Sequence, residues 1–255
     1  MTNEELLKKN QELERENLAL RGIKTETISE VKTYSFSKIR DKELKKLVNI
    51  KKNLDESIFD EWLKNDIIVS EEVEDFFKKL LKQNRKLIST YNEDELKMYF
   101  IAPILNKVQF LSYQDEMRGF YETALNYETD KFIFNGNVDF VVAKGLVDCE
   151  KPYFFIQEFK RAEEFSNPRP QLLAEMISAV ELNKTKSIRG AFITGENWKF
   201  VILEKLGKDK YQYFISESFN STKIDELKGI YRNLQFVKDE IIEMVRQEKQ
   251  ISVRD

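Results

Sequence analysis

The 255-residue chain contains no histidine. That absence excludes a Ser-His-Asp triad, a Cys-His pair, an HExxH zinc site and any nuclease design built on a histidine base. A single cysteine, Cys149, rules out an intramolecular disulfide and a cysteine-based zinc knuckle, and fits a reducing compartment. Its neighbours Asp148 and Glu150 are expected to raise the thiol pKa and keep it unreactive. Glycine is scarce, at eight residues, and none opens a GxxxxGK(S/T) phosphate loop or a GxGxxG turn, so an ATP-driven motor and a Rossmann dehydrogenase are excluded. No apolar run approaches the length of a membrane span, and no membrane partner is expected. The opening residues Met1-Thr2-Asn3-Glu4-Glu5 have neither a basic nor an apolar signal region, which makes the cytoplasm the default location. Neither sign of charge dominates: 42 basic and 45 acidic residues leave a formal net charge of -3. The chain is therefore not a generally basic nucleic-acid coat, and any such contact has to come from a local patch.

What is present is material for a core. Hydrophobic residues make up 41% of the chain and 19 of them are phenylalanine, enough for one large domain or one domain with appendages. Residues 1–22 carry a short heptad pattern, with Leu6, Leu13 and Leu20 at d and Asn3, Asn10 and Asn17 at a. In a parallel pair Lys9 faces Glu14 and Glu16 faces Arg21, so the segment is either a weak homodimeric coiled coil or a solvated helix packed on its own protein. Residues 23–90 read as a polar linker over 23–45 followed by a helical region. The helical region carries two apolar sets: Ile58, Phe59, Trp62 and Leu63, then Val73, Phe76, Phe77, Leu80, Leu81 and Ile88, opened by Ser70. Lys78, Lys79, Lys82 and Lys86 form its solvated face.

Residues 91–220 read as the core domain. Asn92 or Asp94 caps a helix that Pro103 is expected to kink or break. Strands follow over 119–127, 131–134 and 137–143, with Asn135-Gly136 read as a two-residue hairpin turn between the last two. Another strand spans 153–161, a helix 169–183, and further strands 188–194, 198–206 and 211–218. Residues 221–255 hold a long C-terminal helix. The expected fold class is α/β (α+β), a mixed central sheet flanked by helices, with an N-terminal helical extension.

Two of these strands carry the chemistry. Asp139 lies on one; Glu158-Phe159-Lys160 lies on the next. Residues two apart on a strand share a face, so Glu158 and Lys160 are expected to point the same way. Two carboxylates suit Mg²⁺ or Mn²⁺, hard ions that prefer oxygen ligands, and the Phe159 carbonyl could add another oxygen. Lys160 could orient an attacking water or stabilise developing negative charge, which is what phosphodiester hydrolysis requires. The structural alternative is an Asp139–Lys160 or Glu158–Lys160 salt bridge at a sheet edge. Arg169, Lys184, Lys186 and Arg189, around the following helix, read as exposed charge or as phosphate contacts.

Asn137-Val138-Asp139 followed by Glu158-Phe159-Lys160 resembles the PD-(D/E)XK nuclease superfamily, the restriction-endonuclease-like fold, over roughly residues 92–206. The resemblance implies a mixed sheet in αβββαβ order and Mg²⁺-dependent cleavage of nucleic acid, DNA first, in restriction, repair or recombination systems. It implies Asp139 and Glu158 as metal ligands and Lys160 as the catalytic lysine. Glu95, on the helix before the strands, would be a further metal ligand, and Gln171, opening the helix after Lys160, would assist the site. Val138 stands where the superfamily usually has proline. Arg161-Ala162-Glu163-Glu164 is similar to the corresponding stretch of the nuclease domains of type I restriction subunits. Two functions follow: a metal-dependent endonuclease of defence or mobile-element biology, or a catalytically silent nuclease-fold module that binds or assembles.

Overall fold

Runs of apolar and β-branched residues produce the long strands between 117 and 220, and the 3.6-residue period produces helices before, after and, over 169–183, between them. The computed structural model describes residue 9, residues 31–160 and residues 167–252, with backbone alone described for 156–160 and 251–252. The heptad reading of 1–22 and the 161–164 stretch lie outside the described residues, Lys9 apart. Thr33–Asp255 forms one compact unit, the folded domain described here.

The folded domain opens with β1 (Lys32–Ser35), a 3-10 turn over Phe36–Lys38, α1 (Asp41–Leu47) and β2 (Asn49–Lys52). Helices α2 (Asp60–Leu63) and α3 (Glu71–Asn84) follow, then α4 (Glu93–Leu96), a π-helical turn over Lys97–Ile101 and α5 (Ala102–Val108). Next come β3 (Leu111–Ser112), β4 (Met117–Glu128), β5 (Phe132–Lys144) and β6 (Lys151–Lys160). Helix α6 (Arg169–Asn183) leads to β7 (Ser187–Thr194), β8 (Asn197–Gly207), β9 (Lys210–Asn220) and the long α7 (Ile224–Ser252). The fold is mixed α/β, as expected; from α4 to β7 the order is ααββββαβ, the two-residue β3 preceding the three long strands β4–β6.

The strands form one nine-stranded mixed sheet in the order β2-β9-β8-β7-β6-β5-β4-β3, with β1 also paired to β5. The β6–β7 and β2–β9 pairs are parallel. Parallel neighbours need a crossover, and α6 supplies it between β6 and β7. The sheet separates two apolar clusters. Trp62, Phe77, Phe100, Phe154 and Phe200 pack with α7 on one face; Phe36, Leu44, Phe155, Leu173 and Met176 pack around α6 on the other. Phe154 and Phe155, adjacent on β6, go to opposite clusters, as strand alternation requires.

Three local features differ from the sequence reading or refine it. The polar stretch 23–45 is not simply a linker: from residue 32 it supplies β1 and α1, and Phe36, Ile39 and Leu44 bury themselves against α6. Because of this cover, α6 is buried from Pro170 through Val180 on all sides instead of along one stripe.

Asn135-Gly136 is not a hairpin turn. β5 runs straight through it, with Asn135 opposite Asn126 and Gly136 opposite Leu125. The turn lies earlier, where the Thr129 hydroxyl accepts from the Lys131 and Phe132 N–H groups and donates to the Phe132 carbonyl. The glycine serves close approach: at φ 139° a Cβ on Gly136 would lie 3.3 Å from the Phe36 ring.

Pro103 breaks the helix as expected. It sits in the first turn of α5, where its missing N–H costs nothing, and the preceding turn widens to a π helix.

Candidate functional site

Asp139 sits where two strands part. The β5–β6 ladder runs from Lys144↔Lys151 to Phe140↔Ile156, and Asp139 is the next residue of β5 beyond it. β4 occupies one edge of β5 from Ile133 to Lys144, and β6 takes the other edge only from Phe140. β1 also pairs with β5. The half-buried Asp139 has the strand parity of Val141 and Ala143, which face α6.

Both neighbouring strands are irregular at this level. On β4 the register passes from Tyr121↔Phe140 to Thr123↔Val138, and Glu122 between them adopts φ 49°. A left-handed conformation at a non-glycine strand residue is uncommon and strained, and such strain concentrates at functional sites. The Glu122 carboxylate accepts from Lys97, at the start of the π turn. On β6 the register with β7 steps from Gln157↔Phe192 to Phe159↔Ile193, so Glu158 is the extra residue of a bulge. Bulges re-aim side chains and are frequent next to active sites. Lys160, the last residue of β6, pairs with Thr194. The side chains of Glu158, Phe159 and Lys160 lie outside what the structure describes.

A carboxylate not singled out from the sequence faces this point. Glu175, on α6, is fully buried. Its Oε1 accepts from Gln171 Nε2 at 3.3 Å, while its Oε2 has no partner. Burial first, and the charge of Asp139 second, push the Glu175 carboxyl well above the usual carboxylate range; the Gln171 hydrogen bond acts in the opposite direction. Gln171, Glu175 and Asp139 thus form one polar run inside an apolar cluster. The sequence signal was available: Glu175 lies four residues after Gln171, on the same face of a helix. Its complete burial, which sets it apart, depends on the elements that pack over α6 and not on the spacing along the helix.

Glu95 is engaged in a local pattern. Its Oε2 accepts from the Asn92 N–H at 2.9 Å while its N–H donates to Asn92 Oδ1, a capping box that starts α4. That helix packs against β6. Among the described residues no three His, Cys, Asp or Glu side chains converge as a metal-binding group. Asp139 and Glu175 are two carboxylates, and Glu158 is described by its backbone alone. Cys149 is half-buried, and burial, not its acidic neighbours, pushes its pKa up to about 11.

No protein-family model matches the chain, and no curated protein matches it. Among solved structures, it has a distant match to a chain in a cryo-electron microscopy structure of a DrdV–DNA complex, at 11% identity and a TM-score of 0.37. The match covers 64% of this chain and 14% of that one. No family is assigned, and no residue role is drawn from the likeness. Among the described residues no helix is long and apolar enough to cross a membrane.

Proposed function

We propose that the chain is a metal-dependent nuclease of the PD-(D/E)XK type, hydrolysing phosphodiester bonds of nucleic acid, DNA first. The observation that carries this reading is the approach of two carboxylates, Asp139 and the buried Glu175, at the point where β5 and β6 separate. A fully buried carboxyl beside a second carboxyl group is costly to ionise unless something offsets the charge. Strain at Glu122 and the bulge at Glu158, both at that level, support the same reading.

The donors fit a hard divalent cation. Glu175 Oε2 is an orphaned, buried carboxylate oxygen, and the surrounding donors are oxygens with no histidine or thiolate among them. Asp139 and Glu158, with the Phe159 carbonyl, would hold Mg²⁺ or Mn²⁺, and Glu95 is the outer candidate ligand. When bound, such an ion supplies charge neutralisation at the scissile phosphate. Lys160 orients the attacking water and stabilises the developing negative charge. Gln171 holds Glu175 in place through Oε1.

Cleavage of a DNA duplex with Mg²⁺ or Mn²⁺ tests the reading. Asp139→Ala and Lys160→Ala are each expected to lower the rate by about 10²-fold or more. Activity that survives both substitutions overturns it. Calorimetric titration with Mn²⁺ on the wild type and Glu158→Ala separates the alternative. A site-dependent binding signal supports the nuclease reading. Its absence, together with an absence of cleavage, leaves a nuclease-like binding module.

A further inference from the structure

A cleft of about 480 Å³ opens at the start of α6, against the ends of β2, β7, β8 and β9. It contains Lys52, the last residue of β2, Arg169, the first of α6, Thr194 of β7 and Lys199 of β8. Glu56 and Glu217, both exposed, also line it.

The register ties this cleft to the candidate site. Thr194 pairs with Lys160. Phe192 pairs with Gln157 on one side and with Lys199 on the other, so Lys199 shares a cross-strand rung with the residue preceding Glu158. Adjacent strands lie about 4.8 Å apart, which puts Lys199 about 10 Å from β6 along that rung. Lys199 has the parity of Val201 and Leu203, the face that carries α6 and Asp139. The cleft lies beyond the carboxyl ends of the parallel β6–β7 pair, where α/β sheets bind ligands.

Its cations are available. Neither Lys52 nor Lys199 has an acidic partner among the described residues, and Lys199 is half-buried. Arg169 uses Nη2 to bind Asp41 Oδ2 at 2.5 Å, but its Nε is buried without a partner. In a chain whose net charge is -3, two lysines without acidic partners among the described residues stand beside an arginine that Asp41 engages through one nitrogen only, next to the strand that bears Lys160.

We infer that Lys52, Lys199 and Arg169 form a subsite for a backbone phosphate of the nucleic-acid substrate, displaced from the phosphate that is cut. The inference rests on the nuclease reading and deepens it. The substrate backbone passes the carboxyl ends of β6 and β7, with the carboxylate site on one side and this cleft on the other.

The test is fluorescence anisotropy of a labelled DNA duplex with the full chain, at several salt concentrations, with Ca²⁺ in place of Mg²⁺. Lys52→Glu/Lys199→Glu is expected to weaken binding at least 10-fold and to lower the slope of log K against log salt by about one per lysine. Lys52→Gln/Lys199→Gln should give the same slope change with a smaller loss, and decides the matter if the reversal variant does not fold. Lys79→Glu/Lys82→Glu, on the exposed face of α3, should match the wild type. Cleft variants that bind with wild-type affinity and slope, while the wild type binds and cleaves, overturn the subsite and leave the nuclease reading standing. A wild type that neither binds nor cleaves DNA or RNA overturns both.

Discussion

Glu175 on α6 is fully buried and lies within the field of Asp139 on β5, with one oxygen held by Gln171 and the other unpartnered. Two carboxylates brought together inside an apolar cluster raise the proton affinity of the more buried one. Ionising Glu175 in this setting therefore destabilises the fold, a cost that grows as pH rises.

Glu175→Gln should expose that instability. The folded-state pKa of Glu175 is raised, so its contribution is most favourable below the unfolded value, about 4.3, and declines as pH rises toward the folded value. The glutamine variant keeps the shape without the charge. In chelator it is expected to unfold at a higher temperature than the wild type at pH 8, by about 2–4 °C per kcal/mol relieved, with the difference vanishing near pH 4. Thermal unfolding at the two pH values checks this; an equal difference at both would show that the buried charge is not its source.

Asp115 should give the opposite pH dependence. It is buried at the β3–β4 turn and accepts from Arg246 Nε at 2.9 Å and from Ser112 Oγ at 2.7 Å, joining α7 to the sheet. The Arg246 hydrogen bond is the main cause holding its carboxyl below the usual range. A depressed folded pKa means stability that is present above the unfolded value of about 3.9 and is lost as pH falls through the folded one. Asp115→Asn should cost roughly 1–3 kcal/mol at pH 7. Denaturant titrations of variant and wild type should converge below about pH 3.

Gly136→Ala should destabilise the domain by roughly 1–3 kcal/mol, because φ 139° is closed to a side chain and the new Cβ would crowd Phe36. Phe36→Ala in the same background should not restore stability, since the backbone strain remains. Restoration in a double-mutant cycle would assign the cost to the ring contact instead.

Cys149 should react slowly. With its pKa raised to about 11, against a reference of 9.0, the folded protein should alkylate about 100-fold more slowly than an ordinary thiol at pH 7.5. Iodoacetamide labelling followed by mass spectrometry, with and without denaturant, measures the ratio.

Much of the architecture was legible along the chain. Leu172, Leu173, Met176, Ile177 and Val180 repeat at helical spacing, and α6 spans the expected 169–183. The strand pair closed by Gly207↔Lys210 and the break at Pro103 were equally local matters of turn and backbone chemistry. Asn135-Gly136 misled because a glycine that admits a turn also admits a close neighbour. Nothing nearby in sequence reveals that Phe36, a hundred residues away, is that neighbour.

The sequence by itself determined most of the helices and strands after residue 53, excluded every histidine-based chemistry, and placed Asp139 and Glu158-Phe159-Lys160 on successive strands, while β1, α1 and β2 escaped it. These properties depend on residue type and short-range period. Only the tertiary structure decided that residues 32–50 cover α6 and that Glu175 is buried facing Asp139. It also brought Lys52, Arg169 and Lys199 to one cleft. Burial and convergence of charge depend on which surfaces meet, and strand order in a sheet joins residues that periodicity along the chain leaves unrelated.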